Sequence, residues 1–163
     1  MLQKLSKRKA MGFTIIEVMI VLAIAGLILL IVFLAVPALQ RNAHNTSAKN
    51  DVAGILGAMN EAVNNNNGAL PPAQATLGAV GSTTATVGSG AGYNTSTARL
   101  GYFTADKVSI VTAIPAAVPA LGNVAIIEGA VCNGNAPTTT GASSRNYVAY
   151  FQIEGGATQC AAS

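Results

Sequence analysis

Glu17 is the one charged residue in an otherwise apolar run from Phe13 to Leu39. A carboxylate in a helix of membrane-spanning composition costs about 2.5–3.5 kcal/mol on insertion scales, so it calls for a partner and a role. The chemistry available to it is ion pairing, because no second titratable group stands near it in the run. Just upstream lie four cations, Lys4, Lys7, Arg8 and Lys9, followed by Gly12. Elsewhere the residues that could do chemistry are sparse. His44 is the sole histidine, Cys132 and Cys160 are the only cysteines, and Glu61, Asp106, Glu128 and Glu154 are scattered. No Ser-His-Asp set can be composed from them. The glycine-rich stretch 87–92 lacks the lysine and the following helix of a phosphate loop and reads as a linker. No catalytic residue, cofactor or metal site is expected, and His44 reads as a solvated helix residue.

The elements that must position Glu17 follow from hydropathy. Val18 to Val36 is 19 residues without a charge, about the length that crosses a bilayer. An ordinary secretory signal has a shorter apolar core and a small-residue cleavage site after it; neither fits, so the run is expected to stay in the mature chain. The basic cluster holds the leader on the cytoplasmic side. Of nine Lys/Arg, four fall before residue 13, leaving five against six acids, so the formal charge of +3 becomes −1 without the leader. That balance, with no basic stripe, argues against strong nucleic-acid binding.

The segment KRKAMGFTIIEVMIVLAIAGLILLIVF closely resembles the N-terminus of type IV pilins and of the related type II secretion pseudopilins. The shared pattern is a basic leader, then Gly12, Phe13 and Thr14, then Glu17 at the mouth of an apolar helix. The resemblance covers roughly the first quarter of the chain. It implies that a prepilin peptidase cuts after Gly12 and that the new N-terminus, Phe13, is N-methylated. It also implies that Glu17 of an incoming subunit pairs with the Phe13 amine of a neighbour; pairing within one chain is the alternative. The expected partners are copies of the chain itself in a polymer, the peptidase, the pilus assembly platform and the inner membrane before assembly. The expected location is that membrane, with the C-terminal part outside the cytoplasm, and then a surface pilus. Major pilin is the first reading. A minor pilin or a pseudopilin of a secretion or competence apparatus is the second, and a membrane-anchored binding domain a more remote third.

The remaining chain is expected to be α+β: a long N-terminal α-helix packed on a small C-terminal antiparallel β-sheet head. The segments are a leader at 1–12, an apolar membrane and assembly helix at 13–39, its amphipathic continuation at 40–68, a Gly/Ala/Ser/Thr-rich loop at 69–98, and a β-sheet head at 99–163. Val52, Ile55, Leu56, Met59 and Val63 fall at helical spacing and predict one apolar stripe. Asn64–Asn67 and Gly68, then Pro71 and Pro72, predict its end. Pro37 lies inside the helix and predicts a kink or local unwinding. Residues 107–113, 123–132 and 145–153 are β-branched and aromatic and read as strands. In an exported chain the even pair Cys132 and Cys160 reads as a disulfide, matching the C-terminal disulfide loop common in pilins, worth about 3–4 kcal/mol.

Overall fold

The structure is a computed structural model that describes residues 12–90 and 92–162. The expected leader lies, apart from Gly12, outside the described residues. The chain divides after Gln40 into two compact units. One long helix, α1 (Ile15–Asn65), supplies nearly all of the described part of the first and part of the second.

In the first unit every described residue is exposed. The most apolar window of α1 has a mean hydropathy of 3.3 and no buried residue. Such a helix is long and apolar enough to cross a membrane. Leu, Ile, Val and Phe side chains face outward on all sides, and no described residue buries them. α1 continues through Pro37 without an unwound turn. Of the kink or local unwinding expected there, the unwinding is not seen, because the flanking turns hold although the proline ring removes one hydrogen bond.

In the second unit α1 becomes one-sided. Val52, Ile55, Leu56 and Met59 are buried as expected, Val63 is half-buried, and Ala48, Ala58 and Ala62 complete the face. The helix ends as the asparagines and glycine demand. Asn67 and Gly68 take left-handed φ values of 56° and 82°. The Gly68 N–H then reaches back to the Val63 carbonyl at 2.8 Å, the reversed turn that satisfies a terminal carbonyl.

Among the described residues, eight short strands follow. β1 (Thr84–Val87) and β2 (Ser96–Arg99) form an antiparallel hairpin. A short 3-10 turn, Ala105–Lys107, leads into β3 (Val108–Val111). β4 (Val124–Glu128), β5 (Val131–Asn133), β6 (Ala136–Thr138), β7 (Tyr147–Gln152) and β8 (Thr158–Ala162) complete the chain. The main sheet has the order β3-β4-β7-β8, and β5-β6 is a separate hairpin.

Two expectations are corrected here. The sheet is mixed, not antiparallel, because β3 and β4 run parallel with Val108 opposite Val124. Residues 112–123 connect them, about the dozen that a parallel crossover needs. The stretch 69–98, expected as a loop, also contains β1 and most of β2. Their Ser, Thr and Ala content hides the alternation, although Ala85 and Val87 on β1 and Ser96 and Ala98 on β2 are buried.

Both faces of the main sheet are covered. Val108, Ile110, Val124, Ile126, Ala149 and Phe151 join the α1 stripe in one core. Ala125, Ile127, Val148 and Tyr150 point the other way and pack with Ile114, Cys132 and Cys160. Burying one large apolar side chain stabilises by roughly 1.5–3 kcal/mol, so the larger first core is the main source of cohesion.

Candidate functional site

The N-terminal site is built by the start of α1. Gly12, Phe13 and Thr14 precede the helix and are exposed, Phe13 by 89%. Thr14 occupies the N-cap position, where a side-chain oxygen satisfies helix N–H groups that have no carbonyl partner. Its hydroxyl accepts the Glu17 N–H at 3.3 Å. In return the Glu17 carboxylate accepts the Thr14 N–H at 2.8 Å and the Thr14 hydroxyl at 2.7 Å. This is a reciprocal capping box. The negative side chain also lies at the positive end of the helix macrodipole, which favours it there.

The carboxylate expected to need an outside partner is thus occupied within its own chain while the Gly12–Phe13 peptide bond is intact. The signal was present in the sequence as Thr-x-x-Glu ahead of an apolar run. It is outweighed there by the lone-charge reading, which looks for an opposite charge instead of a local donor.

Along the second unit the polar residues of α1 fasten the helix to the sheet and loops. Asp51 is buried, at 6% exposure, and its carboxylate accepts three consecutive backbone N–H groups. Gly101 donates to one oxygen at 2.8 Å, and Tyr102 and Phe103 donate to the other at 2.7 and 2.9 Å. Sequence reasoning missed this anchor. Asp51 stands one residue before Val52 and four before Ile55, which places it on the apolar face, and that was the available signal.

Further anchors flank it. His44 meets the Glu154 carboxylate at 2.6 Å, and Asn45 exchanges two hydrogen bonds with the Glu154 backbone. The Tyr147 hydroxyl donates to Asn60, and the Ser96 hydroxyl to Glu61. At the helix end Asn66 and Asn94 exchange side-chain-to-backbone bonds at 2.9 and 2.8 Å. His44 is therefore a surface partner of a carboxylate, next to the Tyr102 ring at 5.6 Å between centroids.

Cys132 on β5 and Cys160 on β8 form a disulfide, with 5.7 Å between their Cα atoms. It ties the β5-β6 hairpin to the edge strand of the main sheet. Two carboxylates are shifted in opposite directions. Asp106 is held below the usual carboxylate range by hydrogen bonds from Thr104 and the Gly81 N–H. Glu128, at the end of β4, is pushed above it by burial, and one of its oxygens is buried without a hydrogen-bond partner among the described residues.

The family description that matches the chain is the prokaryotic N-terminal methylation motif, over residues 7–33. That motif is the signature of type IV pilins and pseudopilins, and it spans the Gly12–Phe13 junction, Thr14, Glu17 and the first turns of the exposed apolar helix. The chain thus carries the N-terminal signature of type IV pilin-like and pseudopilin proteins. No curated protein and no solved structure matches the chain.

Proposed function

We propose that the chain is the structural subunit of a type IV pilus, cut after Gly12 and polymerised through the apolar half of α1. The observation that carries this reading is the placement of Glu17. It is the sole charge of the apolar helix and sits in its first turn, four residues after the Gly12–Phe13 junction.

Cleavage creates an ammonium group on Phe13, which a prepilin peptidase would release and which N-methylation would modify. An amine and a carboxylate in lipid are each costly alone, and pairing relieves much of that cost. The ammonium also brings a full opposite charge that the Thr14 donors lack, so in a low-dielectric surrounding it is the stronger partner for the carboxylate. When the amine belongs to a neighbouring copy, the pair sets axial register between apolar helices that have no other polar mark. Ile15, Ile16, Val18, Ile20, Val21, Leu22, Ile24 and Leu27 supply the lateral cohesion. The subunit waits as a single-pass inner-membrane protein, is taken up by the assembly platform, and keeps its second unit outside the cytoplasm.

Intact-mass spectrometry of protein from sheared surface fractions and from membranes tests this. The expected species is residues 13–163 with one methyl added and two hydrogens lost to the disulfide, abundant in the sheared fraction. The same species found in membranes alone supports a minor pilin or pseudopilin. A mass that keeps residues 1–12, in a host with an active prepilin peptidase, removes the reading.

A further inference from the structure

The sequence contains two Asn-Gly pairs, Asn67–Gly68 and Asn133–Gly134. An asparagine before glycine can cyclise onto the next backbone nitrogen, because glycine has no Cβ to hinder the approach. By sequence the two pairs are equivalent; by structure they are not.

Gly68 is held by a backbone hydrogen bond and lies beside a side chain. Its N–H is committed to the Val63 carbonyl at 2.8 Å, and the Arg145 guanidinium carbon stands 3.9 Å from where its Cβ would lie. Asn133 is the last residue of β5 and pairs with Ala136. Gly134 and Asn135 therefore form the two-residue connection of the β5-β6 hairpin. Asn133 and Gly134 are both exposed, Gly134 has a φ of 62°, and no atom lies within 4 Å of its Cβ position.

From this contrast we infer that Asn133 is a self-modification site, deamidating through its junction with Gly134 while Asn67 is protected. The Gly134 nitrogen gives its proton to solvent and attacks the Asn133 side-chain carbonyl carbon. A nitrogen–carbon bond forms, the bond to the side-chain nitrogen breaks, and ammonia leaves. Water then opens the five-membered imide to aspartate or isoaspartate. The balance is one water consumed and one ammonia released, with no redox change.

The product places a carboxylate on the tip of the hairpin, where the described residues carry no charge between Arg99–Lys107 and Glu128 or between Glu128 and Arg145. The isoaspartate form also lengthens the backbone at the last pair of the β5-β6 ladder, one residue from Cys132. The Cys132–Cys160 bond keeps the altered hairpin attached to β8. A long-lived extracellular copy thereby acquires a negative charge with age and without an enzyme.

The test incubates the purified full chain in detergent and mildly alkaline buffer, with and without denaturant. Peptide mapping and isoaspartyl-methyltransferase labelling then follow both junctions. In the folded chain Asn133 is expected to react roughly fivefold faster than Asn67, the factor that one net backbone hydrogen bond is worth. In denaturant the two rates converge, and Asn133→Gln removes labelling from the hairpin alone. Equal rates in the folded chain, or faster reaction at Asn67, overturn the inference. So does an Asn133 that stays intact in the folded chain while both junctions react in denaturant.

Discussion

Thr14 and Glu17 cap each other: the threonine hydroxyl and N–H both reach the glutamate carboxylate, and the glutamate N–H returns to the threonine oxygen. The arrangement gives Thr14 a measurable part in the start of α1. Thr14→Val removes the side-chain cap, worth about 1 kcal/mol at a helix N-terminus, whereas Thr14→Ser retains it. In detergent, amide exchange at residues 14–17 is expected to speed up severalfold in the valine variant and to stay at the wild-type rate in the serine variant. Equal exchange in all three chains would refute the cap. Glu17→Ala tests the larger proposal, since that chain should be processed and yet fail to enter filaments at the wild-type level.

Gly12 precedes the helix, and among the described residues no atom lies within 4 Å of where its Cβ would stand. Under the proposed function, a defect in Gly12→Val reports on recognition by the peptidase. The expected result is accumulation of the full-length precursor with an unchanged thermal transition of the second unit. Normal shortening of that variant would take away the proposed cleavage site.

Asp51 replaces, for a loop, the hydrogen bonds a strand partner would supply. Truncation to alanine leaves the N–H groups of Gly101, Tyr102 and Phe103 without their acceptor. An unsatisfied buried donor costs about 1–3 kcal/mol, and a site with three has room for about 3 kcal/mol overall. For a unit of this size that corresponds to a fall of roughly 10 °C in melting temperature. Calorimetry of Asp51→Ala in detergent measures it, and a fall no larger than that of an exposed control such as Asn50→Ala would show the contact to be idle.

The same residue marks where the fold was legible and where it was not. The apolar stripe Val52, Ile55, Leu56 and Met59 declares itself by spacing, and the helix end declares itself by Asn67 and Gly68. β4 and β7 are dense in β-branched and aromatic residues and stand out equally. Asp51 hides because its partners are backbone groups 50 residues away, which no side-chain pattern encodes. β8, with the composition Thr-Gln-Cys-Ala-Ala, is held by pairing to β7 and by the disulfide more than by its own propensity. The parallel pairing of β3 and β4 follows from the route of residues 112–123, a tertiary property. At the N-terminus the motif that holds Gly12, Phe13 and Glu17 is legible from residue type and order. Thr14 needed the geometry, because its part is to satisfy local donors and acceptors.

Glu128 gives the second unit a pH response of predictable sign. Burial raises its pKa above the ordinary carboxylate value, so the folded state binds the proton more tightly than the unfolded chain does. The associated stability is fully present below the ordinary carboxylate range and is lost as pH rises through the raised value. Glu128→Gln fixes the group in a neutral form. Its melting temperature should exceed that of the wild type at neutral pH, and the gap should close on acidification through the carboxylate range. A gap that is constant with pH would assign the effect to packing.

The disulfide bears most directly on the hairpin and the edge strand. β5 and β6 share only three residue pairs, too few for a hairpin to stand alone in water, and Cys132 fastens them to β8. The bond joins positions 28 apart, and cross-linking a loop of that length is worth about 3–4 kcal/mol through the unfolded chain. Reduction should therefore lower the melting temperature of the second unit by roughly 10 °C. It should open the amides of β5, β6 and β8 to exchange before those of β4 and β7, which also rest on the α1 core. Reduction that leaves the transition where it was, or that loosens all strands together, would mean that apolar packing around Ile127, Val148 and Tyr150 holds the hairpin without the bond.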